Sequence, residues 1–424
     1  MKSVTIHIVQ EGDSLWKLSR QYEVTIDEIS AANGLTSSLL MPGLALYVPD
    51  RVLTNRLYRI QEGDQFWLLA RQFRTTVTAI RAANPALDPY RLPVGETMII
   101  PSPLLPEMVT VGFIVPYSIE QFLASLEGFA EQLTYVAVAS YSVTEEGEAY
   151  VLLADDMIPE RSRQLQVTPL LMIRNIMADG TFNPELIGAV LGSASMRRRL
   201  IASLLAFVTE KNYGGVSIDF EFIPPGQRND FVIFLRELKQ ALGALLLHVN
   251  VHSKTADIPD NPIIGAYDYR AISQEADIVA VMTMDYGYPG GPPNPIAPIW
   301  WVDEVIRYAL TEIPANKLQI ALPLYGYDWL EGTNESSGLS ALGAQNLALD
   351  RGAVIEFDMT ALSPHFAYWQ EEGRHLVWFE DIRSYVSKYQ LVDLYGLLGV
   401  TFWEVRLPFP QNWAYMKQHI MVLK

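Results

Sequence analysis

Eight short apolar runs, rich in β-branched and aromatic residues, recur through the last three-quarters of this chain. They are Val109–Val115, Tyr135–Ser140, Leu170–Ile173, Gly215–Phe222, Leu245–Val251, Ile278–Met284, Leu318–Tyr325 and Gly399–Trp403. Stretches of helical period lie between them, for example Gln227–Leu242, Ile299–Glu312 and Ile382–Tyr389. Strands that alternate with helices build parallel sheets, because a parallel pair needs a long crossover and a helix supplies it. Eight such units over about 320 residues suit a (β/α)8 TIM barrel, an α/β fold. A doubly wound open sheet would carry the same alternation. At 424 residues there is also room for smaller domains ahead of the first run.

The fourth run holds the chemistry. In Ser217-Ile218-Asp219-Phe220-Glu221-Phe222-Ile223 alternate side chains go to opposite faces. Val216, Ile218, Phe220 and Phe222 fall on one face, and Ser217, Asp219 and Glu221 on the other. A surface strand could carry that pattern. However, Gly214-Gly215 precede this run, Pro224-Pro225 end it, and apolar strands surround it. Carboxylates on the inner face of a buried strand are costly unless they are used. At the C-terminal end of a barrel strand, they form a candidate acid/base pair.

The first hundred residues repeat at an offset of 51. Glu11-Gly12-Asp13 returns as Glu62-Gly63-Asp64, Trp16 as Trp67, Arg20-Gln21 as Arg71-Gln72, and Ala31-Ala32-Asn33 as Ala82-Ala83-Asn84. Each unit reads as a strand (His7–Gln10, Tyr58–Gln61), a helix opened by Asp13 or Asp64, a second helix opened by Thr25 or Thr76, and a closing strand (Leu44–Val48, Thr97–Ile100). Trp16 and Trp67 are read as core residues of these units. The pattern resembles tandem LysM modules, βααβ domains that bind polymers containing N-acetylglucosamine. The resemblance covers residues 4–50 and 56–101. It implies a sugar groove between Gly12–Leu15 and Asn33–Leu39 in one module, and between Gly63–Phe66 and Asn84–Asp88 in the other.

After the linker Ser102–Pro106, the barrel region (106–424) resembles family 18 glycoside hydrolases, in the LysM-bearing branch that cleaves peptidoglycan in bacterial spores. Four motifs carry the match: Asp219-Phe220-Glu221, Met282-Thr283-Met284-Asp285-Tyr286-Gly287, Leu322-Pro323-Leu324-Tyr325-Gly326-Tyr327-Asp328-Trp329, and Phe402-Trp403. The resemblance implies substrate-assisted retaining cleavage, with the substrate's 2-acetamido oxygen as nucleophile. Glu221 then matches the proton donor, Asp219 the residue that orients the acetamido nitrogen, Asp285 a polar contact near the scissile bond, and Trp403 the aromatic floor under the sugar. Tyr286, Tyr327 and Trp329 are candidate cleft residues. Two departures stand out. Gly214 and Ser217 occupy positions where the family motif carries two further aspartates. Met284 replaces a tyrosine, and a thioether cannot donate a hydrogen bond to the acetamido group. A non-catalytic lectin on the same barrel is the rival class, and a chitinase is a second alternative. Retention of both carboxylates favours an enzyme over a lectin.

Residues 331–378 are too many for a plain loop. They read as a small antiparallel insert after strand seven, with a hairpin turning at Glu371-Glu372-Gly373 and walling one side of the site. The remaining composition narrows the class. There is no cysteine, so neither a disulfide framework nor thiol chemistry applies. The six histidines are scattered and HExxH is absent, so no metal or other cofactor is expected. No apolar run is long enough to span a membrane. The net charge of −17 disfavours nucleic acid as a partner. Residues 1–101 hold 10 basic and 10 acidic side chains, so the barrel region carries the whole excess. The neutral N-terminal part can approach an anionic wall polymer without strong repulsion. Met1–His7 lacks the apolar stretch of a secretory signal. The spore branch implies deposition around the spore (coat, cortex or exosporium), with peptidoglycan or chitin-like polymers as partners.

Overall fold

The computed structural model describes residues 5–49, 53–371 and 373–424. Thus the outer bounds of the first expected module (4 and 50), the residues Met1–Val4 and the turn residue Glu372 lie outside the described residues. Eight parallel strands close a barrel: β1 (Glu107–Ile114), β2 (Tyr135–Val143), β3 (Thr168–Arg174), β4 (Gly215–Asp219), β5 (Leu246–His252), β6 (Ile278–Met282), β7 (Leu318–Pro323) and β8 (Gly399–Trp403). Each pairs with its neighbour in sequence, and β8 pairs with β1 to shut the ring, which excludes the open sheet. The helix at Ile299–Glu312 has the expected bounds, and those at Arg228–Leu242 and Ile382–Tyr395 differ from expectation at one end. Their apolar faces and the outward faces of the strands share one large core.

Three strands stop short of expectation by two residues or more, each at the mouth of the barrel, and β1 ends one residue early at Ile114. β4 ends at Asp219 rather than Phe222. Phe220 still enters the core, but Phe222 adopts a left-handed backbone (φ 56°), and Ile223 is the next buried residue. Phe222 therefore lines the cleft instead of the core face assigned to it by alternation. β6 ends at Met282, and Asp285 is likewise left-handed (φ 59°). Left-handed backbone at non-glycine residues is a local strain that tends to gather at functional sites. β7 ends at Pro323, so Tyr325 opens a new strand.

The insert is larger than expected. Five antiparallel strands run in the order Ser336–Ser340, Tyr325–Leu330, Gly373–Trp378, Ser363–Gln370 and Glu356–Asp358, with the helix Ala341–Arg351 added. The hairpin is present, with Gln370 paired to Gly373 across its turn.

Both repeats fold as βααβ units: Thr5–Ile8, Leu15–Tyr22, Ile26–Asn33 and Ala45–Val48, then Thr54–Arg59, Phe66–Gln72, Val77–Ala83 and Thr97–Ser102. Thr25 and Thr76 cap the second helices as expected. Asp13 and Asp64 do not cap the first helices, whose N-cap positions fall at Ser14 and Gln65. The aspartates instead close the preceding turn, accepting from the amides of Gln10 and Gln61. The tryptophan expectation is also corrected. Trp16 is 62 % exposed and Trp67 55 %. On these two-turn helices Leu15 and Leu18, or Phe66 and Leu69, take the inward stripe, and the residue after Leu15 or Phe66 points outward.

The two modules differ in how they attach. The first shares one core with the insert: Leu15, Leu18, Ile29 and Leu46 pack with Ala348, Ile355, Phe366 and Phe379. Gly43 (φ 84°) lies so close to the Ile355 carbonyl that any side chain would collide with it. The second module has its own core and joins the barrel through polar contacts, Arg56 with Asp393 (2.5 and 2.9 Å) and Thr54 with His419 (3.1 Å).

This asymmetry yields a stability prediction. Asn33 bonds Ile29 O, both backbone groups of Tyr47, and the Gln411 amide of the barrel's C-terminal helix. Asn84 makes the equivalent bonds to Ile80 and Ile99 within its own module. Asn33→Ala should cost about 2–3 kcal/mol through unsatisfied buried groups. It should lower the main calorimetric transition, whereas Asn84→Ala should lower only a separate transition of the second module. Equal effects of both variants on the main transition would refute the asymmetry.

Candidate active site

The C-terminal mouth of the barrel opens into a cleft of about 700 Å³. Asp219 and Glu221 reach it from β4 and the turn after it, Met284 and Asp285 from the turn after β6, and Trp403 from the end of β8. Arg174, His252, Phe222 and Tyr288 are among the other residues that line it. Trp403 packs its ring on Phe113 (5.6 Å between centroids), so it forms a floor supported from below.

The backbone of Glu221 is clamped. Its N–H donates to Asn175 Oδ1 (2.8 Å), and its carbonyl accepts from Asn175 Nδ2 (2.9 Å). The side chain is therefore aimed by bonds that do not involve its carboxyl group. Burial pushes the Glu221 carboxyl well above the usual range; the nearby charges of Asp219 and Asp285 push it further, and Arg174 opposes them. Asp219 is also pushed up by burial, again opposed by Arg174. Close carboxylates in a low dielectric cannot both ionise cheaply, so the pair retains one proton near neutrality. His252 Nε2 lies 3.4 Å from Glu221 Oε2. Burial lowers the His252 pKa to about 4, so its ring is neutral there.

Asp285 Oδ1 accepts from the hydroxyls of both Tyr325 (2.7 Å) and Tyr327 (2.9 Å). Burial raises the Asp285 pKa, and those two bonds oppose the rise. Met284 packs in the cluster formed by Tyr325, Trp329 and Ile296. The insert's first strand thus reaches the site and supplies hydroxyls on the side where the family tyrosine is missing. Both hydroxyls are engaged with Asp285. Met284→Tyr should therefore raise kcat on N-acetylglucosamine oligomers by up to about tenfold, the worth of one added neutral hydrogen bond in the transition state. Tyr327→Phe, which strips Asp285 of one of its two donors, should lower kcat by a smaller factor, through Asp285. Wild-type turnover in both variants would remove any hydroxyl donor from this flank.

The other sequence-derived candidates fall outside the cleft. Ser217 is fully buried beneath Asp219 and bonds His248 Nδ1 (2.9 Å). Tyr286 is turned away and packs against Trp300 and Trp301. Trp329 is fully buried inside the insert, against Tyr327. Conversely, Arg174, Asn175, His252, Tyr288 and Tyr325 are not among the site residues expected from the sequence. Arg174 and His252 each end a barrel strand, a position that by itself marks a candidate. Among the described residues no cluster of three or more His, Asp or Glu could hold a metal ion, and no helix is long and apolar enough to cross a membrane.

The Glycosyl hydrolases family 18 model matches residues 111–407. The chain belongs to glycosyl hydrolase family 18. A LysM domain model matches residues 7–49 and 58–101, so this family 18 glycosidase carries two LysM domains. Its relatives include a cortical fragment-lytic enzyme of Bacillus anthracis, 31% identical over 431 residues that cover 99% of both chains. Among solved structures, the Bacillus cereus spore cortex-lytic enzyme SleL superposes with a TM-score of 0.84, at 30% identity and 99% coverage of both chains. A chitinase from Chromobacterium violaceum has a TM-score of 0.68 and 29% identity, over 74% of this chain and 98% of that one. Domains of both kinds act on glycans containing N-acetylglucosamine, such as peptidoglycan, and such glycans are the partner class of this glycosidase.

Proposed function

We propose that this family 18 glycosidase hydrolyses N-acetylglucosamine linkages in spore-cortex peptidoglycan or its fragments, by substrate-assisted retaining catalysis, while its LysM modules hold it to the wall. The observation that carries the reading is the buried Asp219–Glu221 pair at the barrel mouth, in a chain matched end to end by relatives named for cortex lysis.

In this mechanism protonated Glu221 gives its proton to the glycosidic oxygen as the C1–O bond breaks. The acetamido oxygen attacks C1 from the other face and forms a cyclic oxazolinium. Ionised Asp219 accepts from the acetamido N–H and balances the positive charge. Glu221, now ionised, takes a proton from water as that water opens the ring, and the configuration at C1 is retained. Trp403 supports the distorted sugar from below, and Asp285 offers a polar contact beside the scissile bond.

Both modules present their first strand–helix loop to solvent with a tryptophan next to it, so Trp16 and Trp67 become candidate stacking platforms for wall sugars. Spore association is part of this reading, supported by the names of the relatives that match the chain end to end. Purified spore cortex and chitin, digested side by side and read by mass spectrometry, test the proposal. Cortex should yield fragments ending in reducing N-acetylglucosamine. Cleavage of chitin alone would make the protein a chitinase, and cleavage of neither would return the lectin reading.

A further inference from the structure

The last residue of β3, Arg174, stands opposite Asp219 in the parallel β3–β4 ladder, so both side chains enter the barrel at one level. Arg174 is 6 % exposed. One of its Nη groups donates to the Ala139 carbonyl (3.3 Å), and its Nε is buried without a hydrogen-bond partner among the described residues. Burying a guanidinium whose hydrogen bonds are incompletely satisfied is costly unless nearby charge repays it. The charges that line its cleft are Asp219, Glu221 and Asp285.

The surroundings of Asp219 sharpen this. Below it, Ser217 bonds His248, whose pKa burial lowers to about 3, and Gln319 lies beside that histidine. All three are neutral, so no acid beneath Asp219 can share its proton. From β5, His252 is also neutral near pH 7. The Tyr267 hydroxyl donates to the Phe220 carbonyl. Asp285 faces the pair from beyond β6 and is held by Tyr325 and Tyr327. β1, β2, β7 and β8 offer Phe113, Ser140, Gln319, Thr401 and Trp403, none of which carries charge.

We propose that Arg174 is a positioning residue for the proton: its guanidinium holds Asp219 ionised, so the one proton of the pair rests on Glu221. The inference rests on the assignment of Glu221 as the acid. The competent enzyme then carries Asp219⁻ and Glu221–COOH together, the state needed both to protonate the leaving oxygen and to balance the oxazolinium. In this chain a cation on the neighbouring strand does the work for which the family motif places further aspartates on the same strand. On Asp219 the Arg174 charge alone opposes burial among the described residues, whereas on Glu221 the charges of Asp219 and Asp285 outweigh it, so the proton stays with Glu221.

The test is the pH profile of kcat/KM on a soluble N-acetylglucosamine oligomer, using the full chain. Removing the cation raises the pKa of both carboxylates. Arg174→Met and Arg174→Gln should therefore move both limbs of the bell to higher pH, by about one unit. Arg174→Lys, which keeps the charge, should hold both limbs near their wild-type positions. Two neutral variants are used so that misfolding of one, seen by circular dichroism, leaves the other to decide. Lower turnover with unmoved limbs would make Arg174 merely structural and overturn the proposal. Glu221→Gln serves as the control. If it keeps wild-type turnover, the acid assignment fails and the inference falls with it. If it is inactive while the Arg174 variants keep the wild-type bell, only the inference fails.

Discussion

Glu221→Gln is expected to lower kcat by about 10²–10⁴-fold, the usual worth of general-acid catalysis. The amide keeps the shape of the side chain but has no acidic proton to deliver. The variant should fold normally, because both Asn175 bonds go to the backbone of residue 221 and survive the change. It also relieves the cost of holding an ionisable group in a buried site. The melting temperature should therefore not fall, and binding of oligomers should persist. The alkaline limb of the pH profile, which reports loss of the Glu221 proton, should disappear. Stopped-assay turnover on N-acetylglucosamine oligomers across pH, with scanning and titration calorimetry in parallel, checks all four expectations. Turnover within a few-fold of wild type would remove Glu221 from the chemistry.

Asp219→Asn should be the next most damaging change, costing about 10²–10³-fold in kcat, comparable with losing one preorganised electrostatic contact to the transition state. Its pH signature differs from that of Glu221→Gln. The Glu221 pKa is raised first by burial and next by the Asp219 charge. Deleting that charge lowers the Glu221 pKa, so the alkaline limb should move to lower pH. Removing the Arg174 charge should move the limbs the opposite way. Two substitutions in one cleft that shift the same limb in opposite directions are hard to reproduce by general damage. An Asp219→Asn profile with an unmoved or alkaline-shifted limb would mean that the two carboxylates are not electrostatically coupled.

Much of this is legible in the amino-acid sequence alone. The 51-residue offset fixed two copies of one small unit. The spacing of eight apolar runs fixed an α/β chain of eight strand–helix repeats. Alternation along Ser217–Glu221 placed two carboxylates on one inner face. Each of these is a local periodic property, and strand and helix periods are imposed by backbone geometry whatever surrounds them. What failed in the sequence reading failed where periodicity ends. Alternation carried past Asp219 put Phe222 in the core, but the left-handed residue there turns it into the cleft. Trp16 and Trp67 read as core residues in the sequence, yet a two-turn helix has only one inward stripe and leucine or phenylalanine already fills it.

Tertiary structure alone decided the rest. Closure of the barrel required the β8–β1 pairing, which joins residues about 290 apart in sequence. The tyrosines beside Met284 come from the insert, so the partner of Asp285 lies forty residues away. The first LysM module is sealed against the insert by a shared apolar core, while the second hangs by polar contacts. Arg174 comes level with Asp219 only because their two strands lie side by side in register. The sequence by itself determined which segments become strands and helices and which acids face inward, because local geometry sets those. Which groups then meet across the mouth, and so which carboxyl keeps its proton, depends on distance and burial, and these exist only once the chain has closed.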